Sequence, residues 1–364
     1  MTVKPNYSKL FPFIASIIVT SLFCCKNLKT DTSITAPKNV AFDTVFFGYA
    51  NKGTHARAID VAPNFVAVAG KGGVVTIISK DTVVPQVIRS KTFDGFEDFR
   101  DMKMVEGGAA LFMNSGENGL IYGVAPGGGT GMIVYDTAGV FFDGMDYADN
   151  DPNFAILFGD PVGDKFFLAK TENMGRNWTP ITPETMPNSL SGEAGFAASG
   201  TGIQVVGDST VYFGTGGGKT ARVFKSTDRG SNWKALETPM RAGEGFGIYS
   251  LYFWNEDEGV VIGGNYLDST YNEKICFYTQ DGGESWDNRS FGLGGYCSVI
   301  ASSEDGSMTI ASGRMGTFYS VDKGKNWSKL TNRAYYTCMI ENNSIYLSGR
   351  SGTYAVFRYQ IQDE

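Results

Sequence analysis

Histidine is almost missing from this chain: among 364 residues only His55 carries an imidazole. A serine–histidine–aspartate triad and imidazole-rich metal centres are thereby nearly excluded, because each needs that ring. Cysteine is scarce, with five in all, two of them adjacent at Cys24 and Cys25. Cys276, Cys297 and Cys338 are odd in number and form no C-x-x-C pair. Neither a metal site nor a redox pair is indicated, and buried thiols are the default. Amphipathic helical periodicity is nearly absent, and no glycine-rich stretch separates a strand from a helix. The glycines of "GTGGGK" therefore read as a strand-connecting loop rather than a nucleotide cradle. No cofactor and no metal are expected. Basic charge is short too: 31 Lys and Arg face 38 Asp and Glu, a net charge of −7. That balance argues against nucleic acid or an anionic membrane surface as the main partner.

Long apolar runs are also lacking, with one exception. "LFPFIASIIVTSLF" follows Lys4 and Lys9 and stops at Cys24-Cys25. A basic start with a 14-residue apolar core is an export signal, too short for a comfortable membrane span. Ending on cysteine, with Leu22 three places before Cys25, resembles a bacterial lipoprotein signal. Residues 1–24 are thus expected to be the signal peptide, with Cys25 lipidated and residues 25–40 a polar tether. The protein would be lipid-anchored in the bacterial cell envelope, at the outer membrane, touching the membrane only through the anchor. Phe23 and Cys24 fill places usually held by small residues, so a plain cleaved signal and a secreted or periplasmic protein is the alternative. Cleavage would remove Lys4, Lys9 and no acid, taking the charge from −7 to −9.

What the chain does have is a repeat. "TENMGRNW" (171–178), "STDRGSNW" (226–233), "TQDGGESW" (279–286) and "SVDKGKNW" (320–327) share Ser/Thr, Asp/Asn, Gly and Trp at fixed spacing. The carboxylate or amide oxygen of Asn173, Asp228, Asp281 or Asp322 and the preceding hydroxyl can bond nearby backbone N–H groups and close a turn. The glycine supplies a backbone angle other residues resist, and Trp178, Trp233, Trp286 or Trp327 then lies against neighbouring strands. One carboxylate per unit is too few for a hard cation, so the aspartates read as structural.

These units resemble Asp-boxes, or BNR repeats, found on β-propeller blades of sialidases, sortilin-like receptors and photosystem II assembly factors. A second phrase, the first strand of each unit, recurs seven times: "ARAIDV", "FRDMKM", "FDGMDY", "EAGFAA", "IYSLYF", "YCSVIA" and "YTCMIE". Seven units over about 320 residues give roughly 46 each, the size of a four-stranded blade. An all-β, seven-bladed propeller over residues 41–362 is expected. The run "VAFDTVFF" (40–47) would complete the last blade beside "TYAVFRYQIQ", closing the ring and removing exposed edges.

Several phrases, among them "FGDPVGDKFFLAKT", "GEAGFAASGT" and "TARVFKSTDRGSNW", are similar to a non-photosynthetic bacterial branch of the photosystem II stability/assembly factor-like family. The similarity spans residues 44 to 362. It implies a seven-bladed propeller; the photosynthetic members are assembly factors that bind protein partners. Members of the bacterial branch are often labelled oxidoreductase or glycosyl hydrolase. The resembled phrase carries an arginine where this chain has Cys297, so one basic position of that surface is absent here.

Inner strands of propellers start at the face where ligands usually sit. Aligning the phrases places Arg57, Arg100, Asp143, Ala194, Tyr249, Cys297 and Thr337 at that entrance, with loops bearing Lys71, Asp160, Lys219, Asn265, Tyr266, Arg314 and Arg350. Arg57, Arg100, Tyr249, Tyr266, Arg314 and Arg350 are the candidate ligand-binding residues, because planar guanidinium forks suit carboxylates. A protein or peptide, or an acidic glycan, is the expected partner. The competing reading pairs these arginines with Asp101, Asp143, Asp160 and Glu193, merely holding loops. Catalysis has weaker candidates. A sialidase needs a tyrosine nucleophile and an Arg-Ile-Pro phrase, which "DFRDMK" is not. A different glycosidase or lyase using Asp143, Asp160 or Glu193 is the alternative function.

Overall fold

The computed structural model describes residues 39–80, 85–105, 108–126 and 131–362. Cys25, the signal peptide and residues 25–38 of the tether lie outside the described residues. Seven four-stranded antiparallel sheets form the blades of a propeller. Their inner strands are Ala56–Val61, Phe99–Val105, Phe142–Tyr147, Ile203–Val206, Phe246–Phe253, Val299–Ser302 and Thr337–Glu341. Each packs on the next, and the seventh packs on the first. Blades one to six each run inner to outer in chain order.

Second strands such as Phe154–Val162 and Gly259–Asn265 read as nearly continuous apolar runs because blades cover both their faces. Fourth strands such as Val87–Thr92 face water and are polar. The seventh blade is built from both chain ends: Asn39–Tyr49 pairs antiparallel with Thr353–Gln362, in the register Val40↔Ile361 and Phe42↔Tyr359. The expected closure is therefore present. Among the described residues the only helical element is the 3-10 turn Arg350–Gly352. No described helix is long and apolar enough to cross a membrane.

The four repeated turns join third to fourth strands in blades three to six, and they share one hydrogen-bond pattern. The hydroxyls of Thr171, Ser226, Thr279 and Ser320 accept from the amides of Gly175, Gly230, Gly283 and Gly324 at 2.9–3.0 Å. Asn173, Asp228, Asp281 and Asp322 accept from the amide four residues on at 2.7–3.0 Å. Those glycines have φ of 77–96°, and the residue before each, Met174, Arg229, Gly282 or Lys323, is also left-handed. Each turn leans on the preceding blade. Gly175 packs on Leu111 of blade two, and Gly230 on Ile156 and Ile181 of blade three. Trp178, Trp233 and Trp327 are buried there, while Trp286 is half-buried.

One expected strand is not a strand. "EAGFAA" (193–198) is an irregular segment, and the inner strand of blade four is Ile203–Val206. The reason lies in its contacts. The segment crosses the channel instead of lining it: Arg100 of blade two donates to the Ala197 carbonyl at 2.7 Å. Ser199 donates to the Ser298 carbonyl of blade six at 2.9 Å. Thr201 bonds Ser250 of blade five at 2.6 Å, and the Gly200 backbone sits against Asp101. Residues 196–201 plug the propeller.

Candidate functional site

The plug separates two mouths. On one side a cavity of about 430 Å³ is lined by Arg57, Arg100, Asp143, Tyr249, Tyr266 and Arg314, together with Phe196, Tyr296 and Tyr336. Five of the six expected ligand-binding residues thus share one cavity. Arg350 does not line it. Arg350 is exposed, and its charge reaches His55, whose pKa is lowered by burial and by the charges of Arg57, Lys71 and Arg350. His55, Lys71, Arg57 and Arg100 line an adjoining hollow of about 390 Å³. Of the other entrance residues, Cys297 and Thr337 are fully buried, and Ala194 bridges Gly216.

The arginines keep spare capacity. Arg57 and Arg100 share one carboxylate, Asp98, at 3.7 and 2.7 Å. Two positive charges thus meet one negative. Burial, and then Arg100, lower the Arg57 pKa. Its guanidinium lies 4.4 Å from the Tyr336 ring, a cation–π contact. Arg314 is exposed and, among the described residues, held only by the Tyr266 carbonyl at 2.8 Å. Phe196 stacks on Tyr249 at 4.0 Å, and Tyr249 meets Tyr296 edge-on at 4.8 Å. This rigid aromatic wall comes from the plug and from blades five and six, and only Tyr249 of it was expected from sequence.

The three carboxylate candidates separate by environment. Glu193 is saturated: Arg222 bonds both its oxygens, Thr215 donates at 2.6 Å and the Leu190 amide at 2.8 Å. Asp160 accepts from the Gly195 amide at 3.0 Å, and burial raises its pKa. Both line a depression outside the arginine cavity. Asp143 is 1% exposed and neither oxygen has a well-formed hydrogen bond. Burial and then Asp160 push its pKa well above the usual carboxylate range; Arg100 and the nearby Ala197 amide oppose this. Asp143 alone is an unsatisfied acid in the cavity.

The opposite mouth is acidic, with Asp146, Asp149, Glu304, Asp305 and Glu341 around a hollow of about 680 Å³. Part of this charge is structural. Asp60, Asp101 and Asp146 each clasp the next inner strand, accepting from the amides of Met104, Met145 and Val205 at 2.6–2.9 Å. Lys103 pairs with Asp146 at 2.7 Å. The clasp was not expected, although "AIDV", "FRDM" and "GMDY" each carry the aspartate that makes it.

Fold and site together define a seven-bladed β-propeller with a plugged channel and one basic, aromatic mouth. No family model matches the chain, and no curated protein matches it either. Among the described residues no group of histidine, cysteine, aspartate and glutamate is arranged to hold a metal.

Proposed function

We propose that this propeller is an exported, lipid-anchored binding scaffold that holds a protein or peptide partner through carboxylates at the basic mouth. The observation that carries the reading is the cavity in which Arg57, Arg100 and Arg314 converge with Tyr249, Tyr266, Tyr296 and Tyr336, in a chain of net charge −7. Local charge governs at such a mouth, because salt at physiological strength screens beyond about 8 Å. Each arginine–carboxylate contact contributes about 1.5–3 kcal/mol. The resemblance to assembly factors supports the same reading.

The test is calorimetric binding of an acidic hexapeptide to the full chain. Arg57→Gln with Arg100→Gln should weaken it at least tenfold while lowering the melting temperature, because Arg100 also holds the Ala197 carbonyl and Asp98. Arg314→Gln, at an exposed residue, should weaken it with the melting temperature unchanged. Unchanged affinity, or equal binding of a basic hexapeptide, overturns the reading.

Asp143 favours a second reading, a carbohydrate-active enzyme in which this acid, its pKa raised by burial, protonates the leaving group. Glu193, tied up by Arg222, is a poor second carboxylate, which leaves Asp160. Hydrolysis of an acidic oligosaccharide that is lost in Asp143→Asn would select this reading over the scaffold.

A further inference from the structure

Blades three to six fill the slot against the preceding blade with a turn tryptophan, and blade two has no such turn. Ladder register shows what blade one presents in its place. Ala67 stands where Leu111 and Ile156 stand in blades two and three, and Lys91 stands where Ile181 stands. A side chain that packs on the next turn is thus replaced by alanine, and an isoleucine by a cation.

Between blades one and two this leaves a groove of about 410 Å³, walled by Ala67, Val75, Ile77, Phe93 and Phe112, with Arg89 and Lys91 on one side. That size and lining fall in the range of small-molecule sites, apolar walls with a few polar groups. No acid lines the groove among the described residues. Lys91 sits 4.5 Å from the Phe93 ring, and the Arg89 side chain has no described ion pair or hydrogen bond.

We propose that this groove binds a small aromatic carboxylate, its ring in place of the missing indole and its carboxylate on Arg89 and Lys91. The ring chemistry follows from the four equivalent slots, each of which holds an indole. The carboxylate follows from two cations facing an apolar wall with no counter-ion among the described residues that line it, where a guanidinium fork can bond both oxygens.

The probe is indole-3-propionate, titrated by calorimetry into the full chain carrying Arg57→Gln and Arg100→Gln so that the basic mouth does not contribute. Saturable one-to-one binding is expected. Indole-3-propionamide, and separately Arg89→Gln with Lys91→Gln, should each weaken it at least tenfold. Ala67→Leu, which restores the bulk that Leu111 gives blade two, should abolish binding with an unchanged or raised melting temperature. No binding by the parent overturns the proposal. So does undiminished binding by the folded Ala67→Leu variant, or binding only when the aromatic carboxylate is part of a peptide.

Discussion

At the rim, Asp228 and Asp281 stand in water-exposed turns with their pKa below the usual carboxylate range, whereas Asp60, Asp101 and Asp143 on the inner strands lie above it. Partial burial opposes the shift at Asp228, but bonds from Asn232 and Ser226 outweigh it; at Asp281 the Ser285 hydroxyl is the main cause. In the channel wall desolvation dominates in all three cases. One residue type thus does two kinds of work. Rim aspartates stay ionised and knit a local turn that seats a tryptophan. Channel aspartates reach to the neighbouring blade and hold protons more tightly than an unfolded chain would.

The largest effect should come from the rim. Trp233 is buried with Phe154 and Ile156 of blade three and donates its indole N–H to the Gly230 carbonyl at 2.9 Å. Trp233→Ala should cost about 3–5 kcal/mol, from the cavity it leaves. Trp286, only half-buried, should cost less. Equal losses in thermal or urea unfolding would break the link between seating and stability.

In the channel the readout is a slope. Asp101 is pushed up to about 7, first by burial, and the Lys103 charge pulls the other way. Between about pH 4 and 7 the folded state therefore binds more protons at this site than the unfolded state. Stability should fall as pH rises through that window, by at most about 1.4 kcal/mol per pH unit for one site. Asp60 and Asp143 act in the same direction. Asp228 and Asp281, shifted down, titrate below this window. Urea titrations at intervals across it should show Asp101→Asn flattening the slope, and a wild-type stability that rises with pH would refute the contrast.

Much of the fold was legible in the sequence, and of the contrast only its rim half. Four turns at fixed spacing and seven recurring phrases, six of which overlap inner strands, are enough to set blade number, order and closure, because each blade repeats the same local problem. The plug was not legible. "EAGFAA" resembles an inner strand in composition, and only the contacts that it and the residues after it make with blades two, five and six make it a crossing. The basic mouth was found from Arg57, Arg100, Tyr249, Tyr266 and Arg314, since strand starts converge on one face. Its aromatic wall was missed because Phe196 arrives on the plug and Tyr296 precedes its strand. Glu193 looked available in sequence, and no local signal names Arg222, 29 residues away in the chain, as its partner.

The smallest effect separates the charge of the rim aspartates from their shape. Asp228 accepts from the Asn232 amide on one oxygen and from the Asn232 side chain on the other, both at 2.7 Å. Asp228→Ala removes both acceptors and should cost about 1–3 kcal/mol. Asn173 in the first turn keeps the backbone bond, at 3.0 Å, with an amide oxygen alone. Asp228→Asn should therefore cost less than about 1 kcal/mol at pH 7. With its folded pKa lowered, Asp228 adds stability that is present above the unfolded carboxylate pKa and lost as pH falls through the folded one. The Asn variant should thus converge on wild type in acid, while the Ala variant stays behind at every pH. If Asn and Ala cost the same at pH 7, the turn depends on the carboxylate charge and Asn173 needs another explanation.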